Sequence, residues 1–228
     1  MTAVRVREQA SVGPDQAQFR YRAVLLLVLV LLIFEVLAPD EDWARAVDVA
    51  LSGTALTVTV ATSRARQPVR RVRARAVAVV ALLIFIGVAT GLLSAGVAWA
   101  VVTVLLAAIP VALVGGLLRL VQVDGVTLQV VAGALAIYLL VGLLFASVIA
   151  FVAKVSGTPY FAQGSKVTGG DHVYYSFTVL TTTGFGDYTA ATAVGHALAV
   201  LEMLTGQLYL VTVIGILVGN FRGSRKER

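Results

Sequence analysis

The chain has 228 residues, of which 59% are hydrophobic and 13% charged. That balance is far from a soluble domain and reads as an integral membrane protein. With no cysteine, disulfides and thiolate metal sites are excluded. The two histidines, His172 and His196, stand 24 positions apart and form no cluster. The net charge of +6 raises nucleic acid as a partner, which the placement of the charges decides below.

Residues 1–22 read as a cytoplasmic N-terminal tail with Arg5, Arg7, Arg20 and Arg22. The length of this leader and the full apolar run behind it argue against a cleaved signal peptide. A first span over 23–38 reaches, with Phe19 and Tyr21, the ~20 residues that a bilayer crossing needs. Glu35, near its outer end, is expected to reach the headgroups. Pro39-Asp40-Glu41-Asp42-Trp43 forms an acidic turn with an interfacial tryptophan. Residues 44–62 make a second, weaker span rich in threonine, whose hydroxyls bond back to helix carbonyls. Its Asp48 either pairs with Arg45 or is solvated at the interface. Arg64, Arg66, Arg70, Arg71, Arg73 and Arg75 surround Pro68 in a loop over 63–75. They read as a cytoplasmic topology signal and a contact for anionic lipid. A third span covers 76–93. The fourth, 97–120, is expected to kink at Pro110 and has one basic residue, Arg119. A voltage-sensing helix carries a series of arginines, so conventional voltage gating is not expected.

A polar break at 122–125 precedes the fifth and longest apolar stretch, 126–155. Residues 156–170 form a Gly/Ser/Thr/Pro-rich extracellular turret. The segment 171–181 is too short to cross a membrane and reads as a re-entrant helix buried in protein. Its C-terminal dipole end favours cations and leads into Thr181-Thr182-Thr183-Gly184-Phe185-Gly186-Asp187. A dehydrated cation needs a ring of oxygens in place of water. Backbone carbonyls supply it when consecutive residues point them the same way. L-residues resist that run of dihedrals, so glycine is wanted at alternate positions, and Gly184 and Gly186 are there. The Thr182 hydroxyl adds a ring at the inner end. Residues 190–221 form the sixth, inner helix. Six crossings with both ends inside leave only Arg45, Lys154 and Lys166 outside, of 18 Lys and Arg. This asymmetry fits the orientation that the pore segment requires. It places the positive charge on the cytoplasmic surface, so nucleic acid is rejected as a partner.

From about Gly169 to Asn220 the sequence resembles the pore of potassium channels. The likeness rests on an aromatic-rich pore helix (Tyr174 to Leu180), the filter, Asp187 at its mouth and an inner helix. Residues 182–186 match Thr-Val-Gly-Tyr-Gly except for Thr183 in place of Val and Phe185 in place of Tyr. The resemblance implies an all-α membrane protein with six transmembrane helices and a re-entrant pore helix and filter between the fifth and sixth. Its parts are the tail 1–22, a four-helix domain 23–122 that is voltage-sensor-like in helix count only, a pore domain 123–221 and a basic tail 222–228. One chain supplies one filter segment, so three identical partners complete a homotetrameric pore.

The implied activity is passive K+ conduction across the cell membrane, with no cofactor and no catalytic residue. K+ would sit on the carbonyls of Thr182, Thr183, Gly184 and Phe185, with Gly186 completing the filter. Phe185 is expected to pack behind it. Asp187 would bond an aromatic of the pore helix, Tyr175, and concentrate cations at the mouth. Gly206 is the candidate gating hinge, with Gly215 and Gly219 as rivals and close helix packing as the alternative. Glu202, deep in the inner helix, needs partners, for which Thr178 and Thr181 are candidates. It either braces the filter, with its proton altering gating, or is a satisfied structural carboxyl. Gln207 would offer a polar contact in the inner cavity. Two other readings stay open. One is a weakly selective Na+/K+ channel, motivated by Thr183 and Phe185. The other is a non-conducting membrane adaptor with a vestigial pore.

Overall fold

The computed structural model describes residues 14–39, 41–62, 67–90, 92, 94–124, 126–164 and 167–219. Residues 1–13, Asp40, Arg64, Arg66, Lys166 and the basic tail 222–228 lie outside the described residues. Of the proposed lipid contact at Arg64–Arg75, residues 64–66 fall there too. Seven helices are described: α1 (Pro14–Leu37), α2 (Asp42–Thr62), α3 (Gln67–Ala89), α4 (Ala95–Asp124), α5 (Leu128–Ser156), α6 (Gly169–Leu180) and α7 (Ala193–Gly219). Two of them, α5 and α7, are long and apolar enough to cross a membrane.

Helix α5 is the centre of the fold. It packs against α1, α4, α6 and α7, while α2 joins α1, α3 and α4. Val24, Val28 and Leu31 of α1 recur at helical spacing and meet Leu105, Leu106 and Ile109 of α4 and Leu140 and Leu143 of α5. Between helices in lipid, burial of apolar surface gives little drive. Close van der Waals contact and interhelical hydrogen bonds do the work, and small residues permit the approach. Gly142 shows this on α5: a Cβ there would lie 2.6 Å from Phe177 Cζ of α6. Polar ties add to it. Thr103 Oγ1 of α4 bonds Ser147 Oγ of α5 at 3.1 Å, and Tyr209 Oη of α7 donates to the Ala134 carbonyl of α5 at 2.6 Å.

Several boundaries differ from those read in the sequence. Helix α1 starts at Pro14, ahead of the apolar span expected from residue 23. Proline suits a first helical position and aspartate the first turn, whereas hydropathy reports only where the apolar part begins. Helix α3 starts at Gln67, so the chain at Arg70, Arg71, Arg73 and Arg75 is helical rather than loop. Pro68 falls in the first turn, where its missing N–H costs nothing. Helix α4 runs through the expected polar break to Asp124, because polar residues do not interrupt helical hydrogen bonds.

The carboxyls of Glu35 and Asp48 are buried, not solvated at an interface. They line one small cavity with Arg45 and Trp99, and Ser52 Oγ donates to Asp48 at 3.4 Å.

The end of α1 also sets the start of α6. A Cβ on Gly170 would lie 2.6 Å from the Val36 carbonyl oxygen. Gly170→Ala should therefore cost about 1–3 kcal/mol as an overpacking change. Gly96→Ala, where a Cβ meets nothing within 4 Å, should leave stability unchanged. Thermal unfolding of the two variants in detergent checks this; equal melting temperatures would contradict it.

Candidate functional site

Helix α6 begins two residues before the expected 171, because Thr168 caps it. The Thr168 side chain accepts from the Asp171 N–H at 3.3 Å. Asp171 in turn accepts from the Thr168 N–H at 2.8 Å, a reciprocal capping box. Tyr188, just past the 181–187 segment, donates to the same carboxyl at 3.0 Å. Burial opposes ionisation of Asp171, but the hydrogen bonds from Thr168 and Tyr188 outweigh it and hold the carboxyl below its ordinary value. One face of α6 is buried against an aromatic cluster. Tyr175 meets Phe161 edge-on at 5.0 Å and Tyr160 at 6.1 Å. Phe161 forms an antiparallel bridge with Ala190, so the segment after α5 clasps the chain that follows 181–187.

The chain turns back at the end of α6. The N–H of Thr182 donates to the Val179 carbonyl at 2.9 Å. The N–H groups of Thr183 and Gly184 both donate to the Thr178 carbonyl, at 2.8 and 3.1 Å. Thr181 Oγ1 donates to the Phe177 carbonyl at 2.6 Å and lies 2.9 Å from Thr183 Oγ1. Positive φ occurs at alternate residues: 58° at Thr182, 52° at Gly184 and 81° at Gly186. Thr182 is the only non-glycine residue with positive φ among those described. For a β-branched residue this conformation is strained by roughly 1–3 kcal/mol, and it was not foreseen from the sequence. Residues 181–187 are exposed in the single chain.

Asp187 bonds α6 through a different tyrosine from the one expected. Tyr174 Oη donates to Asp187 at 2.8 Å, while Tyr175 is buried in the aromatic cluster. Consecutive helical residues point about 100° apart, so only one of the two reaches Asp187. The hydrogen bond to Asp187 pushes the Tyr174 phenol above its ordinary value. Phe185 does not pack into the interior of its own chain. It stacks on Tyr174 with centroids 6.2 Å apart and planes at 4°, and is 69% exposed.

Glu202 is fully buried, but neither Thr178 nor Thr181 is its partner. Thr178 Oγ1 bonds the Tyr175 carbonyl at 2.8 Å and Thr181 bonds Phe177. Glu202 Oε1 is hydrogen-bonded to Ser176 Oγ, a residue the sequence reading passed over. Ser176 and Glu202 sit on the buried faces of their helices, and that periodicity is the signal that could have paired them. Gly206 packs on the end of α6, where a Cβ would collide with the Leu180 carbonyl. Close packing therefore accounts for this glycine. Gly215 and Gly219 have open space around them, and Gln207 is exposed.

Residues 137–222 match a family model described as ion channel. The match begins inside α5 and takes in α6, the 181–187 segment and α7; α1 to α4 precede it. It supports an ion channel and a membrane protein. The comparison with curated proteins gives no match, and neither does that with solved structures.

The capping box makes the seating of α6 acid-sensitive. A depressed Asp171 contributes stability that is full above its ordinary value and is lost as pH falls through the depressed one. Thr168→Ala should cost about 1 kcal/mol and flatten that acid loss. Melting temperature against pH for the two proteins checks it; parallel curves would contradict the assignment.

Proposed function

We propose that this chain is one of four identical subunits of a potassium-selective channel, conducting dehydrated K+ through the carbonyls of residues 182–186. The observation that carries this reading is the alternation of positive φ at Thr182, Gly184 and Gly186. Alternating handedness turns successive carbonyls toward one side. Their N–H partners lie behind, on the Thr178 and Val179 carbonyls of the pore helix. Carbonyl rings of this kind replace the hydration shell of K+. The ion-channel match over 137–222 supports conduction as the activity, which asks for no catalytic residue.

The tetramer is supported by what α7 leaves uncovered. Only Gly195, Glu202 and Gly206 of this helix are buried, while Leu201, Leu208, Val211, Ile214 and Val218 are all more than half exposed. Four copies around an axis cover part of that surface, close the oxygen rings and give the exposed Phe185 a neighbour to pack on. Six crossings place both ends in the cytoplasm with the basic residues. Asp187, fixed by Tyr174, then rings the outer mouth and raises the local cation concentration. The C-terminal dipoles of four α6 helices point at the inner end of the filter. The hydrogen bond of Tyr174 to Asp187 holds the mouth without the hydroxyl that Phe185 lacks.

Ion flux into liposomes holding the purified protein tests this, with K+ and Na+ gradients compared. K+-selective flux is expected, and its loss in Gly184→Ala. A Cβ at 184 meets nothing within 4 Å, so that variant should fold. It pays only for a left-handed L-residue, roughly 1–2 kcal/mol, at the carbonyl that lines the path. Equal Na+ and K+ flux would replace this reading with a weakly selective channel. Absence of flux from an intact tetramer, whatever the voltage or pH, would contradict conduction.

A further inference from the structure

Ser176 is where three helices meet through one hydroxyl. Its Oγ lies 2.7 Å from the Gly142 carbonyl oxygen of α5 and is hydrogen-bonded to Glu202 Oε1 of α7. Ser176 and Glu202 both have no exposed surface. A serine hydroxyl owns one proton, and a carbonyl oxygen can only accept. If Ser176 gives that proton to Gly142, the contact with Glu202 holds only when Glu202 is protonated and donates to Ser176 Oγ. If Glu202 is ionised, Ser176 must turn its proton to the carboxylate and abandon Gly142. The other carboxyl oxygen, Oε2, is buried without a partner among the described residues. An ionised group in that setting costs more than a single hydrogen bond returns.

Among the described residues, the ionisable groups that feel Glu202 are Tyr160, in the segment after α5, and Tyr175 of α6. Both are neutral phenols at ordinary pH, and no cation among the described residues acts on the carboxyl. Two contacts tie the result to the filter. Gly142 packs on Phe177, and Gly206, four residues beyond Glu202, packs on Leu180 at the end of α6. A change in how α5 and α7 grip Ser176 is thus passed to the Thr178 and Val179 carbonyls that hold the filter backbone.

We propose that Ser176 and Glu202 form a proton-operated tie between the pore helix and the two helices flanking it. With Glu202 protonated, Ser176 bridges α5 and α7 and the filter is held in register. When Glu202 gives its proton to water, Ser176 turns to α7, the Gly142 bond is broken and the pore helix loosens. Glu202 and Ser176 are positioning residues, since neither touches the ion.

Two measurements on the full-length protein test this. The first is independent of conduction: the infrared difference spectrum of wild type minus Glu202→Gln. A protonated carboxyl band is expected, vanishing at alkaline pH and shifted in Ser176→Ala. Its absence at every pH would overturn the tie whatever the protein conducts. The second rests on the channel reading: Na+ and K+ flux into liposomes across the same pH range. Na+ leak should rise at alkaline pH in the wild type. That response should be lost in Glu202→Gln, which keeps a neutral donor and keeps K+ flux. Ser176→Ala should leak Na+ at every pH. Each variant decides separately if the other fails to assemble. A wild-type pH response retained in Glu202→Gln would overturn the tie and leave the channel reading standing.

Discussion

A chain that dips into a membrane and returns must satisfy its own backbone, because lipid offers no donors or acceptors. Here the burden falls on the last turn of α6. The Thr178 carbonyl takes the N–H groups of both Thr183 and Gly184, and Val179 takes that of Thr182. Once those donors are held behind the segment, its carbonyls are left for something on the other side. The strained φ of Thr182 follows from the same demand: the backbone must reverse its handedness at once on leaving the helix. The contacts around α6 keep it where these bonds can form.

The means are small residues and short polar ties rather than apolar mass. Gly170 lets the end of α1 reach the start of α6, Gly142 lets α5 reach Phe177, and Gly206 lets α7 reach Leu180. Ser176 adds a bond to α5 and one to α7, and the capping box fixes the helix start. This arrangement also gives the first helices a role in the proposed channel. They are not only a surround, because α1 touches both α5 and α6 and carries one half of the buried Glu35–Asp48 pair at that end.

The seven helices and the handedness pattern at Gly184 and Gly186 were legible in the sequence. Long apolar runs and paired glycines report directly on backbone demands. Three things were not. Helix starts at Pro14 and Gln67 were hidden because hydropathy marks lipid-facing lengths and not hydrogen-bonded turns. The choice of Tyr174 over Tyr175 for Asp187 depended on helical phase, which two adjacent aromatics leave ambiguous. Ser176 was invisible as a partner of Glu202 because 26 positions and a chain reversal separate them. The buried Glu35–Asp48 pair shows the same limit: each carboxyl read alone looks like an interfacial group. Only the packing of α1 on α2 buries them together.

The central claim is that four copies build an oxygen-lined site that prefers K+ to Na+. Calorimetric titration of K+ into the purified assembly, against a constant Na+ background, tests it without requiring an open gate. Saturable K+ binding is predicted, greatly weakened in Gly184→Ala at an unchanged assembly size. Binding that Na+ matches equally, or heats identical in the variant, would contradict it.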